Sequence, residues 1–198
     1  MRPDMIPGAR FPDFELRDHR NRPRRLSALQ GDDPLIVTIL RGHFCPKDRQ
    51  QLHDLVRFCR KTDVGYTRLV TITTDSLLEI NELRMGVGAQ WTFLHDPSRT
   101  VAHELDIAEY TDPVHDPMIP YTIVLKPRLV IHKIYNGYWY WGRPTIHELH
   151  IDLREITSEI RPDYQIDTPE QRELWESGDR ASFWPYGKSL AEIMAEDE

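Results

Sequence analysis

The chain reads as an α/β protein with a central sheet that is largely parallel, and three observations carry that reading. Apolar, β-branched runs at 35–40 and 66–73 have the length and content of buried strands. Segments with helical periodicity separate them: in Arg49 to Lys61, Leu52, Leu55, Val56 and Cys59 recur at i, i+3, i+4 and i+7, one apolar face of a helix. Strands alternating with helices of that length imply βαβ units.

Each element has a local reason. Phe11 to Leu16 alternates apolar and polar at period two and holds Pro12, which suggests a short edge strand. An Arg- and Pro-rich stretch with Arg20, Arg22, Arg24 and Arg25 follows and reads as a solvated loop, and 26–31 gives one helical turn. Ser76 is placed to cap a helix that ends near Gly86 and Gly88. Thr92 to Leu94 is a short strand, after which Asp96 and Pro97 mark a helix start running to about Asp106. Residues 110–118 form a loop, and strands at 121–125 and 129–135, joined by Lys126-Pro127-Arg128, pair as an antiparallel hairpin. Beyond the aromatic run Tyr138-Trp139-Tyr140-Trp141, Pro144 opens a helix whose Ile146, Leu149, Leu153, Ile156 and Ile160 form an apolar stripe.

Composition bounds the rest. With 198 residues, 39% of them hydrophobic, the chain suits one well-buried domain, taken as 1–161, followed by an acidic tail at 162–198. Trp175, Phe183, Trp184 and Tyr186 make that tail too apolar for a free linker, so it is expected to pack on the domain or on a partner. A net charge of −7 argues against a nucleic-acid surface. No stretch near the start is long and apolar enough for a signal peptide or membrane span, and two cysteines suggest no disulfide framework, so the expected location is the cytoplasm.

The stretch that organises the chain is Arg41-Gly42-His43-Phe44-Cys45-Pro46-Lys47-Asp48. It places Cys45 where a central strand hands over to a helix, with Pro46 in the first turn, where its missing N–H costs nothing. Unpaired amides and the dipole at a helix start favour thiolate over thiol, and Arg41, Lys47 and Arg49 add positive charge. Asp48 acts against this. The plainer reading of Cys45 is a small buried hydrophobe. Fourteen residues along an unbroken helix, about 21 Å, separate Cys45 from Cys59, which excludes a disulfide between them and leaves Cys59 as a core residue.

These features resemble the thioredoxin superfamily, and within it the AhpC/TSA, peroxiredoxin-like branch. The resemblance rests on 7–16, Phe93-Leu94-His95-Asp96-Pro97 and Arg41-Gly42-His43-Phe44-Cys45-Pro46, the last similar to an Arg-Gly-x-Trp-Cys-Pro segment of redoxins. It implies a thioredoxin-like fold, a mixed sheet flanked by helices, over roughly 6–160. It also implies that Cys45 is the redox nucleophile and that Pro120 is a cis proline beside it. The matching activity is a one-cysteine thiol peroxidase acting on hydrogen peroxide or organic hydroperoxides without a cofactor. Its partner would be an external thiol of the glutathione or thioredoxin type, and a homodimer is compatible with it.

The departures are as informative as the matches. Asp48 stands where a thioredoxin-type reductase has its second cysteine, and Gly42 where peroxiredoxins have Thr or Ser. No Arg adjoins Pro120, so Arg41 or Arg143 would have to supply the positive charge: Arg41 reads either as functional or as structural, Arg143 more simply as a packing residue. His43 is a candidate proton shuttle whose plainer reading is a solvated side chain. Two alternatives stay open: a monothiol disulfide oxidoreductase, and a non-catalytic binding protein that presents the aromatic run at 135–141. His147 and His150 have metal-compatible spacing, but no further ligands fall at recognisable distance, and no metal is expected.

Overall fold

A computed structural model of the chain describes residues 1–138 and 141–196, so Trp139 and Tyr140 of the aromatic run lie outside the described residues. Two compact units are present, Met1–Leu153 and Arg154–Glu198. The first contains β1 (Glu15–Asp18), β2 (Pro23–Arg25), α1 (Leu26–Gln30), β3 (Leu35–Ile39), α2 (Pro46–Val64), β4 (Arg68–Thr73), α3 (Leu77–Val87), β5 (Thr92–His95), α4 (Thr100–Glu104), β6 (Tyr121–Lys126) and β7 (Val130–Asn136). It ends within α5 (Ile146–Ile160), and α6 (Pro169–Glu176) and α7 (Leu190–Glu196) belong to the second unit.

The seven strands form one mixed sheet in the order β2-β1-β5-β4-β3-β6-β7. At its centre β3 pairs in parallel with β4 and antiparallel with β6, and β4 in parallel with β5. Every residue of β3 is buried, as a strand covered on both faces requires. Leu35, Val37 and Ile39 join Ile72, Leu94, Ile123 and Phe11 in one apolar cluster. α2 docks on the sheet by Leu52, Leu55 and Phe58, and buried Gln51 donates from Nε2 to Thr122 Oγ1 at 2.7 Å, so the polar side chain that this face turns toward β6 has a partner. The C-terminal end of β3 therefore delivers Arg41 to Cys45 to the start of α2.

Local chemistry explains most boundaries. Ser76 and Glu79 form a reciprocal capping box on α3, and Gly88 closes it in the left-handed conformation that costs glycine nothing. The helix expected from Asp96 starts later, because Arg99 turns to a φ of 60°. Asp96 still caps α4 from a distance, accepting from the amides of Thr100 at 2.9 Å and Val101 at 2.7 Å.

The N-terminal strand differs from expectation. Phe11 and Phe14 leave the strand register and enter the core, packing edge to face with centroids 5.8 Å apart, and β1 begins only at Glu15. It is not an edge. Part of the stretch read as an Arg-rich loop supplies the edge strand β2, all three of whose residues are exposed, antiparallel to β1.

Some of the second unit's aromatics pair within it. Trp175 meets Phe183 edge to face at 5.4 Å and carries the Arg180 guanidinium 3.6 Å over its ring, while Arg161 lies 5.3 Å over Tyr186. Thr168 caps α6 by accepting from the Gln171 amide, with Pro169 in the first turn.

Two histidines near the β1–β5 pair carry a titration consequence. His95 has both ring nitrogens, and His19 its Nε2, buried without a hydrogen-bond partner. Burial holds both imidazoles below their ordinary value of 6.5, with Arg17 adding to the effect on His95 and Arg84 on His19. The unfolded chain binds more protons than the native one below that value, so this contribution is whole above pH 6.5 and is lost as the pH falls from 6.5 through the depressed native values. Thermal unfolding should therefore show a falling Tm between about pH 7.5 and about pH 5, and His95→Phe should flatten that slope, the two profiles being compared by circular dichroism.

Candidate active site

Cys45 is the N-cap of α2 (φ −81°, ψ 116°), with Pro46 as the first helical residue. Its amide bonds back to the Gly42 carbonyl at 3.0 Å, and its own carbonyl accepts from the Arg49 amide at 3.2 Å, the first bond of the helix. The cysteine is 4% exposed, yet its surroundings are not hydrocarbon. It lines a cavity of about 650 Å³ together with Arg41, Lys47, Glu109, Asp112, Tyr138 and Arg143, among others.

Asp48 holds this region together. It lies one turn into α2 and is fully buried. Its Oδ2 accepts from the amides of Arg41 at 2.8 Å and Gly42 at 3.3 Å, tying the cysteine loop to the helix that follows it. Its Oδ1 accepts from Arg143 Nε at 3.2 Å and, at closer range, from Nη2. Burial pushes the Asp48 carboxyl above its ordinary value, against the opposing pull of Arg143 and of the two amides.

Arg143, which the sequence offered as one of two sources of positive charge but more simply as a surface or packing residue, is thereby brought to the cysteine: its Nη2 lies 3.9 Å from Cys45 Sγ. Its Nη1 donates to the Gly137 carbonyl at 2.9 Å. Gly137 is closely approached: a Cβ there would stand 3.1 Å from the Pro120 carbonyl oxygen and 3.2 Å from Arg143 Cγ, so either neighbour would have to give by a few tenths of an ångström. Gly42 is constrained more tightly: its φ is +145°, and a Cβ would meet Phe44 Cε1 at 2.9 Å and Asp75 Oδ1 at 3.0 Å.

Arg41 points elsewhere. Its guanidinium makes a two-point pair with buried Glu109, at 2.7 and 2.8 Å, and reaches Asp112 at 3.4 Å. The bond to Glu109 is the main reason its pKa is raised. Arg41 thus anchors the 109–116 loop over the cavity, and His115 of that loop stacks on Phe44 with centroids 3.8 Å apart. The second guanidinium at the cavity is a lining group, not a sulfur contact.

Pro120 is buried immediately before β6, and its carbonyl accepts from the Gly137 amide at 2.8 Å. The expected cis bond is corrected by the structure: among the described residues the cis peptide is Trp184–Pro185, and Ile119–Pro120 is trans. Pro120 is linked to the site by hydrogen bonds, its carbonyl to the Gly137 amide and the Gly137 carbonyl to Arg143. Cys59 is a free thiol buried on the apolar side of α2, raised above its ordinary value of 9.0 by burial and by Asp63. His147 and His150 fall in neither of the metal-compatible clusters among the described residues, but His43 does.

The signal for Arg143 was present in the sequence but unreadable there, since nothing in 98 residues of separation says that the turn before α5 folds back on the start of α2. The pair it makes with Asp48 has side-chain exposures of 12% and 0%, which sets the scale of its loss. Exposed ion pairs contribute about 0–1 kcal/mol, whereas stranding one partner of a buried pair costs about 3–5 kcal/mol. Arg143→Met should destabilise the protein by that larger amount, and Arg143→Met combined with Asp48→Leu by clearly less, as measured by chemical denaturation.

No curated protein matches the chain. Solved structures with the same fold include the peroxidoxin BcpB of Mycobacterium tuberculosis, at 20% identity and TM-score 0.68, covering 77% of this chain and 98% of that one. A yeast mitochondrial 1-Cys peroxiredoxin matches at 15% identity and TM-score 0.64, covering 78% of each chain. A reduced peroxiredoxin of Vibrio vulnificus in complex with hydrogen peroxide matches at 12% and 0.66, covering 75% and 99%. The AhpC/TSA family model matches residues 7–134, which include β3, the Cys45 loop and most of the β6–β7 hairpin, and the chain belongs to the AhpC/TSA family.

Proposed function

We propose that the protein is a thiol-dependent peroxidase of the one-cysteine kind. The observation that carries this reading is Cys45 at the mouth of α2, lining a cavity with charged residues on its wall and with the Arg143 guanidinium 3.9 Å from its sulfur. The sulfur sits at the N-terminal end of a 19-residue helix, with Arg143 beside it and Arg41 and Lys47 on the cavity wall.

In the first step the Cys45 thiolate attacks one oxygen of the peroxide, the S–O bond forms, and the O–O bond breaks. The departing oxygen leaves as alkoxide or hydroxide and takes up a proton to become alcohol or water. Arg143 is positioned to stabilise the charge that develops on the leaving oxygen. Cys45 is left as a sulfenic acid. An outside thiol then attacks its sulfur and releases water, and a second thiol breaks the resulting mixed disulfide, so two thiols are oxidised for each peroxide reduced.

The resolving thiol comes from outside because the chain offers none within reach: Asp48 stands three residues on, and Cys59 faces the core. The yeast mitochondrial relative is described with glutathione and thioredoxin systems, and the Vibrio relative with hydrogen peroxide, which supports the same substrate and reductant classes here. We place the protein in a reducing compartment such as the cytoplasm, in keeping with its two free thiols.

Stoichiometric hydrogen peroxide or an organic hydroperoxide should convert Cys45 to a sulfenic acid that a dimedone-type probe traps within seconds, leaving Cys59 unlabelled, as read by mass spectrometry. Cys45→Ser should abolish the labelling. Slow reaction with peroxide together with ready formation of a glutathione mixed disulfide would favour a monothiol oxidoreductase instead.

A further inference from the structure

A second cluster of chemistry-bearing side chains lies on the other side of the cysteine loop, and the mechanism makes no use of it. His43 Nδ1, Asp75 Oδ1 and Glu79 Oε1 come from three places: the cysteine loop, the β4–α3 turn and the first turn of α3. All three residues offer ligand atoms within 4.8 Å of one another. His43 Nδ1 is 2.8 Å from Asp75 Oδ1 and 3.8 Å from Glu79 Oε1.

The two carboxylates are oriented in the same way. Asp75, with its side chain 7% exposed, has its outer oxygen Oδ2 held by the His43 amide at 2.8 Å and by the Thr73 hydroxyl at 2.6 Å. Glu79 has its outer oxygen Oε2 held by the Ser76 amide at 2.8 Å. In both, second-layer donors fix one oxygen and leave the other turned toward the imidazole, the pattern that preorganises metal ligands. His43 and Glu79, at 36% and 39% side-chain exposure, leave the remaining positions open to water.

We propose that His43, Asp75 and Glu79 form a binding site for a divalent transition-metal cation, of which Zn²⁺ is the best match to one imidazole and two carboxylates. Two carboxylate oxygens and one ring nitrogen converging from three parts of the chain are a donor set that suits a doubly charged ion. Tetrahedral metal–ligand distances of about 2.0–2.2 Å require the 2.8 Å contact to open by about half an ångström or slightly more, while the 3.8 Å contact to Glu79 is already wide enough. The ion would bind His43 through Nδ1, so the ring in the complex carries its proton on Nε2. Because the His43 amide bonds the same Asp75 carboxylate and Cys45 follows two residues later, occupancy would stiffen the cysteine loop. The site stands independently of the peroxidase reading.

The test is calorimetric titration of the chelator-treated full-length protein with Zn²⁺ at about pH 7, alongside ¹⁵N NMR of the histidine rings. The expected result is saturable one-to-one binding that His43→Ala and Glu79→Gln each weaken by more than about tenfold and Cys45→Ser leaves intact. The Glu79→Gln change keeps a side-chain carbonyl as acceptor for the Ser76 amide, so the helix cap survives while the ligand charge is lost. On the wild-type protein, saturating Zn²⁺ should shift the His43 ring ¹⁵N resonances to those of an Nδ1-bound, Nε2–H imidazole, a readout that needs no variant to fold. Absence of saturable binding, binding indifferent to His43→Ala, binding lost in Cys45→Ser, or an unshifted His43 ring would each overturn the proposal.

Discussion

The site depends on one buried carboxylate. Asp48 receives two backbone amides from the cysteine loop and the guanidinium of Arg143 from the turn before α5. A charge taken wholly out of water is tolerable only when its hydrogen-bonding capacity is met, and here both oxygens are used. Meeting that demand fixes three things together: the path of residues 41–42, the first turn of α2, and the place of Arg143. The same guanidinium then lies beside Cys45 Sγ. The residue whose charge opposes an anionic sulfur is also the one that brings the compensating cation to it.

Around that pair the neighbouring groups are held by close approaches instead of by bulk. Gly137 lets the Pro120 carbonyl and the Arg143 stem converge, and Gly42 lets the loop pass against Asp75 and Phe44. Arg41 is committed to Glu109 and Asp112, and so fastens the loop that forms one wall of the cavity. Arg143 lies beside the sulfur, and Arg41, which also feels the charge of Cys45, is held in the wall.

Much of the fold was legible because local chemistry and tertiary demand coincide. The β-branched run at 35–40, the apolar stripe of α2, the Ser76 cap and the hairpin at 121–135 all read correctly from period and boundary residues. What failed to read were decisions made by distant partners. Phe11 and Phe14 fit a strand pattern but are drawn into the core, and the Arg-rich stretch pairs as an edge strand because β1 presents its free side to it. At the site, Cys45 was visible as a helix-start cysteine, whereas Arg143 had no local signature. The proline expected to be cis was inferred from family likeness; in this chain its bond is trans, and its carbonyl accepts from the Gly137 amide.

The most direct test of the account is the second-order rate at which Cys45 is oxidised by hydrogen peroxide, followed by stopped-flow fluorescence in the wild type and in Arg143→Lys, which keeps the charge but not the two-point grip on Asp48. The account predicts a wild-type rate orders of magnitude above that of Cys59 and a fall of about tenfold or more in the variant. A wild-type Cys45 no faster than Cys59, or a rate indifferent to Arg143, would contradict it.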